Sequence, residues 1–199
     1  DYTVEQFADL QLLRYKVHGF DELPLKQKEL VYYLSEAALQ GRDILFDQNG
    51  KYNLIIRKML ETVYTDYKGD RSDVNFKNLE IYLKRVWFSN GIHHHYAADK
   101  FVPGFTPEFF KKDLESVDAA KLPLAEGETL DALCNEVFPV IFDAKVMAKR
   151  VNQADGEDLV LTSASNYYDN VNQAEAEAFY GKMKNPNDTM PVMFGMNSR

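Results

Sequence analysis

The sequence predicts a mainly α-helical protein: a multi-helix N-terminal domain followed by a few short β-strands after about residue 158. Apolar residues recur with the 3.6-residue period of a helix as far as Val137, and the period is lost further on. Clusters of Gly, Pro, Asn and Asp separate the periodic segments, as turn residues do. A chain of 199 residues suffices for one ordinary domain and a small second one. We therefore expect a helical domain at 1–155 and a short strand-helix-strand segment at 156–199.

Two helices are predicted before the first strong turn cluster. Thr3 and Gln6 form a capping-box pattern that predicts a helix at the N-terminus. Pro24 is placed to open the second helix, which ends at Gly41 or continues to Phe46. Its expected buried face consists of Leu30, Val31, Leu34, Ala37 and Ala38.

Further helices are expected in order along the rest of the chain. N-cap residues at Asp73, Thr106 and Thr129 each precede an apolar stripe. Pro139 should kink or end the helix that contains it. The expected ranges are 51–64, 73–90, 107–114, 129–138, 140–151 and 173–184.

Two short segments have the composition of strands, namely residues 159–162 (LVLT) and 191–194 (PVMF). Two isolated strands do not make a stable sheet in water. We therefore expect the chain to be a piece of a longer protein that supplies the missing strand partners.

Composition narrows the class of partner. The formal net charge of −8 argues against a nucleic-acid binder, which would carry a basic face. No apolar run approaches the roughly 20 residues of a membrane span, so no membrane partner is expected. Cys134 is the only cysteine, so no internal disulfide is possible. We expect a cytoplasmic protein, although a start at Asp1 also fits a removed signal peptide.

The segment after Gly91 is the first candidate site, because it places three histidines, a tyrosine and a lysine in one loop. A ligand-facing loop would use His94, His95, Tyr96 and Lys100 as hydrogen-bonding groups. Two alternatives stay open: a solvated surface loop, and a metal site in which His93 and His95, two residues apart on a strand, are the first two ligands. No second cluster of metal-ligating residues is evident in the sequence.

The same loop has an apolar end. Phe101, Val102 and Pro103 are apolar and stiff, whereas the residues before them would lose free energy if buried without partners. We therefore expect Phe101 and Val102 to pack on the helical body while His95 and Tyr96 face solvent.

The second candidate site is the segment that begins with Asn166 and Tyr167. Two interpretations of this segment are equally supported: a turn that contacts a ligand, and the end of a strand where Asn and Asp side chains cap the backbone. Neither a nucleophile paired with a base nor a phosphate-binding loop occurs in the sequence. No catalytic residue and no cofactor is therefore expected within this chain.

Three segments in order resemble the N-terminal region of the dipeptidyl peptidase III family of zinc-dependent exopeptidases, in a form like that of Bacteroidetes bacteria. They are residues 33–41 (YLSEAALQG), 93–103 (HHHYAADKFVP) and 166–179 (NYYDNVNQAEAEAF). The second is the most specific, since the family has a polar and aromatic loop there that ends in Lys-Phe-x-Pro. The three histidines depart from the common eukaryotic pattern.

The resemblance implies a fold with two lobes around a wide cleft. One lobe holds zinc through a His-Glu-x-x-Gly-His helix and a distant Glu; the other joins N-terminal helices to a small β-barrel. This chain would open the second lobe, with zinc in the missing C-terminal part. His95 and Tyr96 match loop residues that line the cleft.

The implied partners are an oligopeptide substrate and the remainder of the same polypeptide, and the implied reaction is release of dipeptides from peptide N-termini. The alternative is a non-enzymatic helical module that binds peptides or proteins.

Overall fold

The computed structural model describes residues 2–184, 187 and 189. This part of the chain is mainly helical, with seven α-helices and one two-stranded antiparallel sheet, which confirms the predicted fold class. Its strands and helices are β1 Thr3–Phe7, β2 Leu10–Leu13, α1 Leu25–Gln40, α2 Arg42–Asn49, α3 Asn53–Asp66, α4 Val74–Ser89, α5 Pro107–Ser116, α6 Leu130–Phe142 and α7 Gln173–Met183.

The N-terminal segment forms a β-hairpin, so the helix predicted there is wrong, and so is the confinement of strands to the region after residue 158. β1 and β2 pair through a tight turn in which Ala8 has a φ of 49°. Glu5 forms an ion pair with Lys84 at 2.5 Å, and Asp9 forms one with Arg85 at 2.8 Å. These contacts attach the hairpin to α4, and long-range contacts of this kind override local helix signals.

Of the two ends considered for this helix, the one at Gly41 is correct, because α1 ends at Gln40 and a separate helix, α2, begins at Arg42. The predicted buried face of α1 is wrong, since this helix has no buried residue. Leu34, at its centre, is 59% exposed. The periodicity indicated the helix correctly, but no described element covers the face that it marks.

The hydrophobic core lies among α3, α4, α5 and α6. Asp73, Thr106 and Thr129 accept hydrogen bonds from backbone N–H groups in the first turns of α4, α5 and α6, as predicted from the sequence. Fully buried core side chains include Ile56, Met59, Leu60, Leu79, Leu83, Phe110, Leu114, Leu133 and Ile141.

Pro139 lies inside α6, which continues to Phe142 rather than ending at the proline. Val140 and Ile141 beyond it are buried in the core, which holds the last turn in place. The separate helix expected at 140–151 does not form past Phe142.

Residues 159–162 form a turn and not a strand. The Asp158 carboxylate accepts hydrogen bonds from the N–H groups of Val160 and Leu161, at 2.9 and 2.8 Å, and from that of Gln173. One capping carboxylate therefore folds this apolar stretch into a turn and ties it to the start of α7. The strand predicted at 191–194 lies outside the described residues.

Among the residues that the structure describes, no helix combines the length and the apolar character needed to cross a membrane.

Candidate functional site

The two candidate segments of the sequence lie on one small ladder of backbone segments, residues 92–94, 98–101, 148–150 and 164–166. Residues 148–150 lie between the loop and the Asn166 segment and form backbone hydrogen bonds with both. The bonds that join them are Phe101 N–H to Ile92 O (2.9 Å), Lys100 N–H to Ala148 O (3.2 Å), Arg150 N–H to Ala98 O (2.8 Å), Ala164 N–H to Lys149 O (3.0 Å) and Ser165 N–H to Arg150 O (3.1 Å). Residues from distant parts of the sequence therefore share one framework.

A tight turn at 94–99 forms the tip of the loop. The His94 N–H donates to the Asp99 carbonyl at 2.7 Å, and the Ala98 N–H donates to the His94 carbonyl at 3.1 Å. The His94 imidazole lies inside the turn, where Nδ1 accepts from the N–H groups of Tyr96 and Ala97 at 3.1 and 3.0 Å. The side chain of His94 thus holds the backbone of the turn in place.

His95 and Tyr96 stand at the outside of this turn. Tyr96 is 87% exposed, as expected from the sequence. His95 is half-buried, so the expectation that it faces solvent is confirmed only in part; its ring lies 5.0 Å from that of Phe88 and 4.4 Å from that of Tyr96. Burial lowers the pKa of His95, and the neighbouring His94 and Arg150 act in the same direction. The loop therefore presents one exposed phenol beside a half-buried imidazole whose pKa is lowered.

His93 points the other way and is buried, with 2% of its surface exposed. Its Nε2–H donates to the Met147 carbonyl at 2.7 Å. Burial lowers the pKa of His93, and the charges of Lys100 and Arg150 add to the effect. Its role in this structure is to tie the loop to the segment that precedes Ala148, and not to face a shared ligand with His95.

Lys100 also turns inward, which does not fit its predicted role as a ligand contact. Its Nζ donates to the carbonyls of Val140, Asp143 and Val146. These carbonyls belong to the end of α6 and the turn after it, so the ammonium caps that helix end. Burial lowers the pKa of Lys100. All three of its donors are in use, so Lys100 has none left for a ligand at the candidate site.

The apolar end of the loop packs only in part. Phe101 is buried, as predicted, and the Arg85 guanidinium lies 5.2 Å from its ring centre. Val102 is 81% exposed, so the prediction that it packs on the helical body is wrong. One aromatic side chain therefore provides the apolar anchor of the loop.

Asn166 and Tyr167 lie at the other side of the ladder. The Asn166 N–H donates to the Gln48 carbonyl at 2.8 Å, which fastens the ladder to the end of α2. Tyr167 is exposed and lines a groove of about 240 Å³ together with Tyr168, Val151 and Leu159. The structure thus places Tyr167 at a groove, whereas the backbone of Asn166 serves to attach the ladder.

Sequence reasoning missed two residues that shape this site. The Arg150 side chain donates to the His95 carbonyl at 3.1 Å, and Phe88 supports the His95 ring. Arg150 lies in a segment that the sequence indicated as helix, and Phe88 is one apolar residue among many on α4. No spacing signal marked either of them: the Arg150 contact spans 55 residues, and the Phe88 contact depends on the turn of the chain between α4 and the loop.

No family model matches the chain, and a search of curated proteins finds no significant match. Among the described residues there is no group of three or more His, Cys, Asp and Glu side chains placed to hold a metal ion.

Proposed function

We propose that this chain is the N-terminal, non-zinc-lobe part of a zinc-dependent dipeptidyl peptidase that removes dipeptides from peptide N-termini. In this proposal the chain forms one wall of the peptide cleft. The observation that carries it is the presentation of Tyr96 and His95 from a tightly bonded turn, with Phe101 and Lys100 anchoring the loop behind them. This is also the loop in which the resemblance to the family is most specific.

The turn suits contact with an extended peptide. A phenol can donate and accept a hydrogen bond and can also stack on a side chain. The turn is held by the bonds to His94 and by the Arg150 contact to the His95 carbonyl, so little further ordering is needed when a peptide binds. The exposed Tyr96 would then contribute to affinity without the cost of folding a loop.

The reacting groups would come from the other lobe. Zinc, when bound there, would polarise the scissile carbonyl and supply an activated water. In this proposal the described residues of this chain contribute by binding and orienting the peptide.

The partners in this proposal are an oligopeptide and the remainder of the same polypeptide. The acidic net charge of −8 is compatible with both. We propose the cytoplasm as the compartment, which fractionation of cells that make the full-length protein would test.

The decisive experiment uses the full-length, zinc-loaded protein and a dipeptidyl-arylamide substrate. We expect dipeptide release that chelation abolishes. The Tyr96→Ala and His95→Ala double variant should lower kcat/KM about 5- to 150-fold, mainly through KM, because it removes about 1–3 kcal/mol of peptide binding.

Val102→Ala is the matched control, because Val102 is as exposed as Tyr96 and lies at the end of the same loop. It should leave kcat/KM unchanged. Peptide binding without turnover by the zinc-loaded protein would support the helical binding module instead. Wild-type kinetics in the double variant would remove this loop from the cleft.

A further inference from the structure

In the turn that carries Tyr96, one nitrogen of the His94 imidazole acts as a hydrogen-bond acceptor. His94 Nδ1 accepts from the Tyr96 and Ala97 N–H groups, two and three residues further along the chain. Asn and Asp oxygens make the same contacts when they cap turns and helices. A backbone N–H group can only donate, so Nδ1 must carry the lone pair. The proton of the neutral ring therefore lies on Nε2.

Packing explains why a ring rather than an amide suits this position. The His94 ring stacks on His95 at 4.5 Å and meets the edge of Phe101 at 6.2 Å between centres. His94 therefore links the buried anchor of the loop to the exposed tip. Ala98, which closes the turn, has a φ of 60°, a left-handed conformation that alanine adopts only when its surroundings hold it there.

We propose that His94 is a positioning residue that works only in its neutral form. A protonated imidazole has no acceptor nitrogen. Protonation of His94 therefore breaks both of the hydrogen bonds that it accepts from backbone N–H groups. The turn then loosens, and Tyr96 and His95 lose their fixed orientation. The consequence for peptide binding rests on the proposed function, whereas the consequence for the turn does not.

Charged groups face this turn from three other elements. Asp9 of the hairpin forms an ion pair with Arg85 of α4. Lys149 and Arg150 belong to the segment 148–150. Lys149 forms an ion pair with Asp99 of the loop, and Arg150 donates to the His95 carbonyl. His95 is the second titratable ring at the tip. Histidine is the side chain that ordinarily changes charge between pH 5 and 8.

The test is site-resolved amide exchange of Tyr96 and Ala97 in the full-length protein at pH 7.5 and pH 5, with His94→Asn and His94→Ala as a pair. Asn keeps an acceptor and cannot titrate, while Ala has no acceptor. In the wild type the protection factors of both amides should fall roughly tenfold or more on acidification. In His94→Asn they should stay high at both pH values, and in His94→Ala they should be low at both. His95, the other titratable ring at the tip, is present in all three proteins, so its titration cannot produce this difference.

A kinetic readout connects the turn to peptide binding. On acidification from pH 7.5 to pH 5, kcat/KM of the wild type should fall several-fold further than kcat/KM of His94→Asn. This difference between the two proteins should come from a larger rise in the KM of the wild type. Unchanged protection of both amides in a wild type whose His94 resonance has titrated would overturn the inference, as would equal protection in the Asn and Ala variants. If the amides respond as expected but no peptidase activity is found, the positioning role stands and the proposed function fails.

Discussion

At the residue scale, three consecutive histidines take three different roles because their rings meet three different surroundings. His93 is buried against the Met147 carbonyl, His94 accepts bonds inside the turn, and His95 packs on Phe88 beside the exposed Tyr96. Extended backbone sends successive side chains to opposite sides, which separates His93 from His94. The tight turn that follows brings His94 and His95 back against each other.

The pKa of His93 makes the stability of this region depend on pH. Its pKa is lowered in the folded protein, chiefly by burial, so the folded state binds a proton less readily than the unfolded chain does. The stabilisation from neutral His93 is therefore complete above the ordinary histidine pKa of about 6.5 and is lost as the pH falls below it.

We predict that His93→Gln weakens this pH dependence. Gln keeps an N–H donor for the Met147 carbonyl but does not titrate. The free energy of unfolding of the wild type should fall more between pH 7 and pH 5 than that of His93→Gln, as measured by urea unfolding at both values. His93→Ala should cost about 2–4 kcal/mol at pH 7, since it leaves a cavity and an unpaired carbonyl. Equal pH dependence of wild type and Gln variant would show that His93 is not held neutral by the fold.

At the element scale, α1 and α4 have similar periodic patterns and opposite environments. Both run for 16 residues with apolar residues at helical spacing. Leu83 of α4 is fully buried, whereas Leu34 of α1 is 59% exposed. Periodicity marks a face that can be buried, and only the position of neighbouring elements decides whether it is.

This difference predicts opposite outcomes for one substitution. Leu83→Ala should cost about 2–5 kcal/mol in the free energy of unfolding of the 199-residue chain, because it opens a cavity among packed helices. Leu34→Ala should change it by less than about 0.5 kcal/mol, because the side chain already meets water. Urea unfolding of both variants measures this. A cost at Leu34 comparable to that at Leu83 would mean that α1 is covered in solution.

At the scale of the whole molecule, the chain combines a packed helical core with surface segments held by long-range polar contacts. The core of α3 to α6 supports the ladder that carries both candidate segments, through Phe101 and the Lys100 contacts to the end of α6. The hairpin is attached to α4 by two ion pairs. The candidate site is therefore a peripheral feature that is supported by the helical core.

For the molecule as a whole we predict that the 199-residue chain alone does not hydrolyse dipeptidyl arylamides, whether or not zinc is added. Its described residues bring together no metal-ligating group of three, and its sequence shows no nucleophile paired with a base. The measurement is turnover by highly purified chain, with the full-length protein as the positive control. Activity of the chain that survives chelation would contradict both the fragment interpretation and the proposed family.

The sequence by itself determined the mainly helical class, the positions of α3 to α7 to within a few residues, and the caps at Asp73, Thr106 and Thr129. These follow from contacts between residues close along the chain. Tertiary structure decided what depends on distant neighbours: the N-terminal hairpin, the exposure of α1, and the inward turn of Lys100 toward the end of α6. For the candidate site, the sequence indicated the loop and the exposure of Tyr96. It could not indicate Arg150, whose contact with the His95 carbonyl spans 55 residues, nor Phe88, whose contact with the His95 ring depends on how the chain turns after α4.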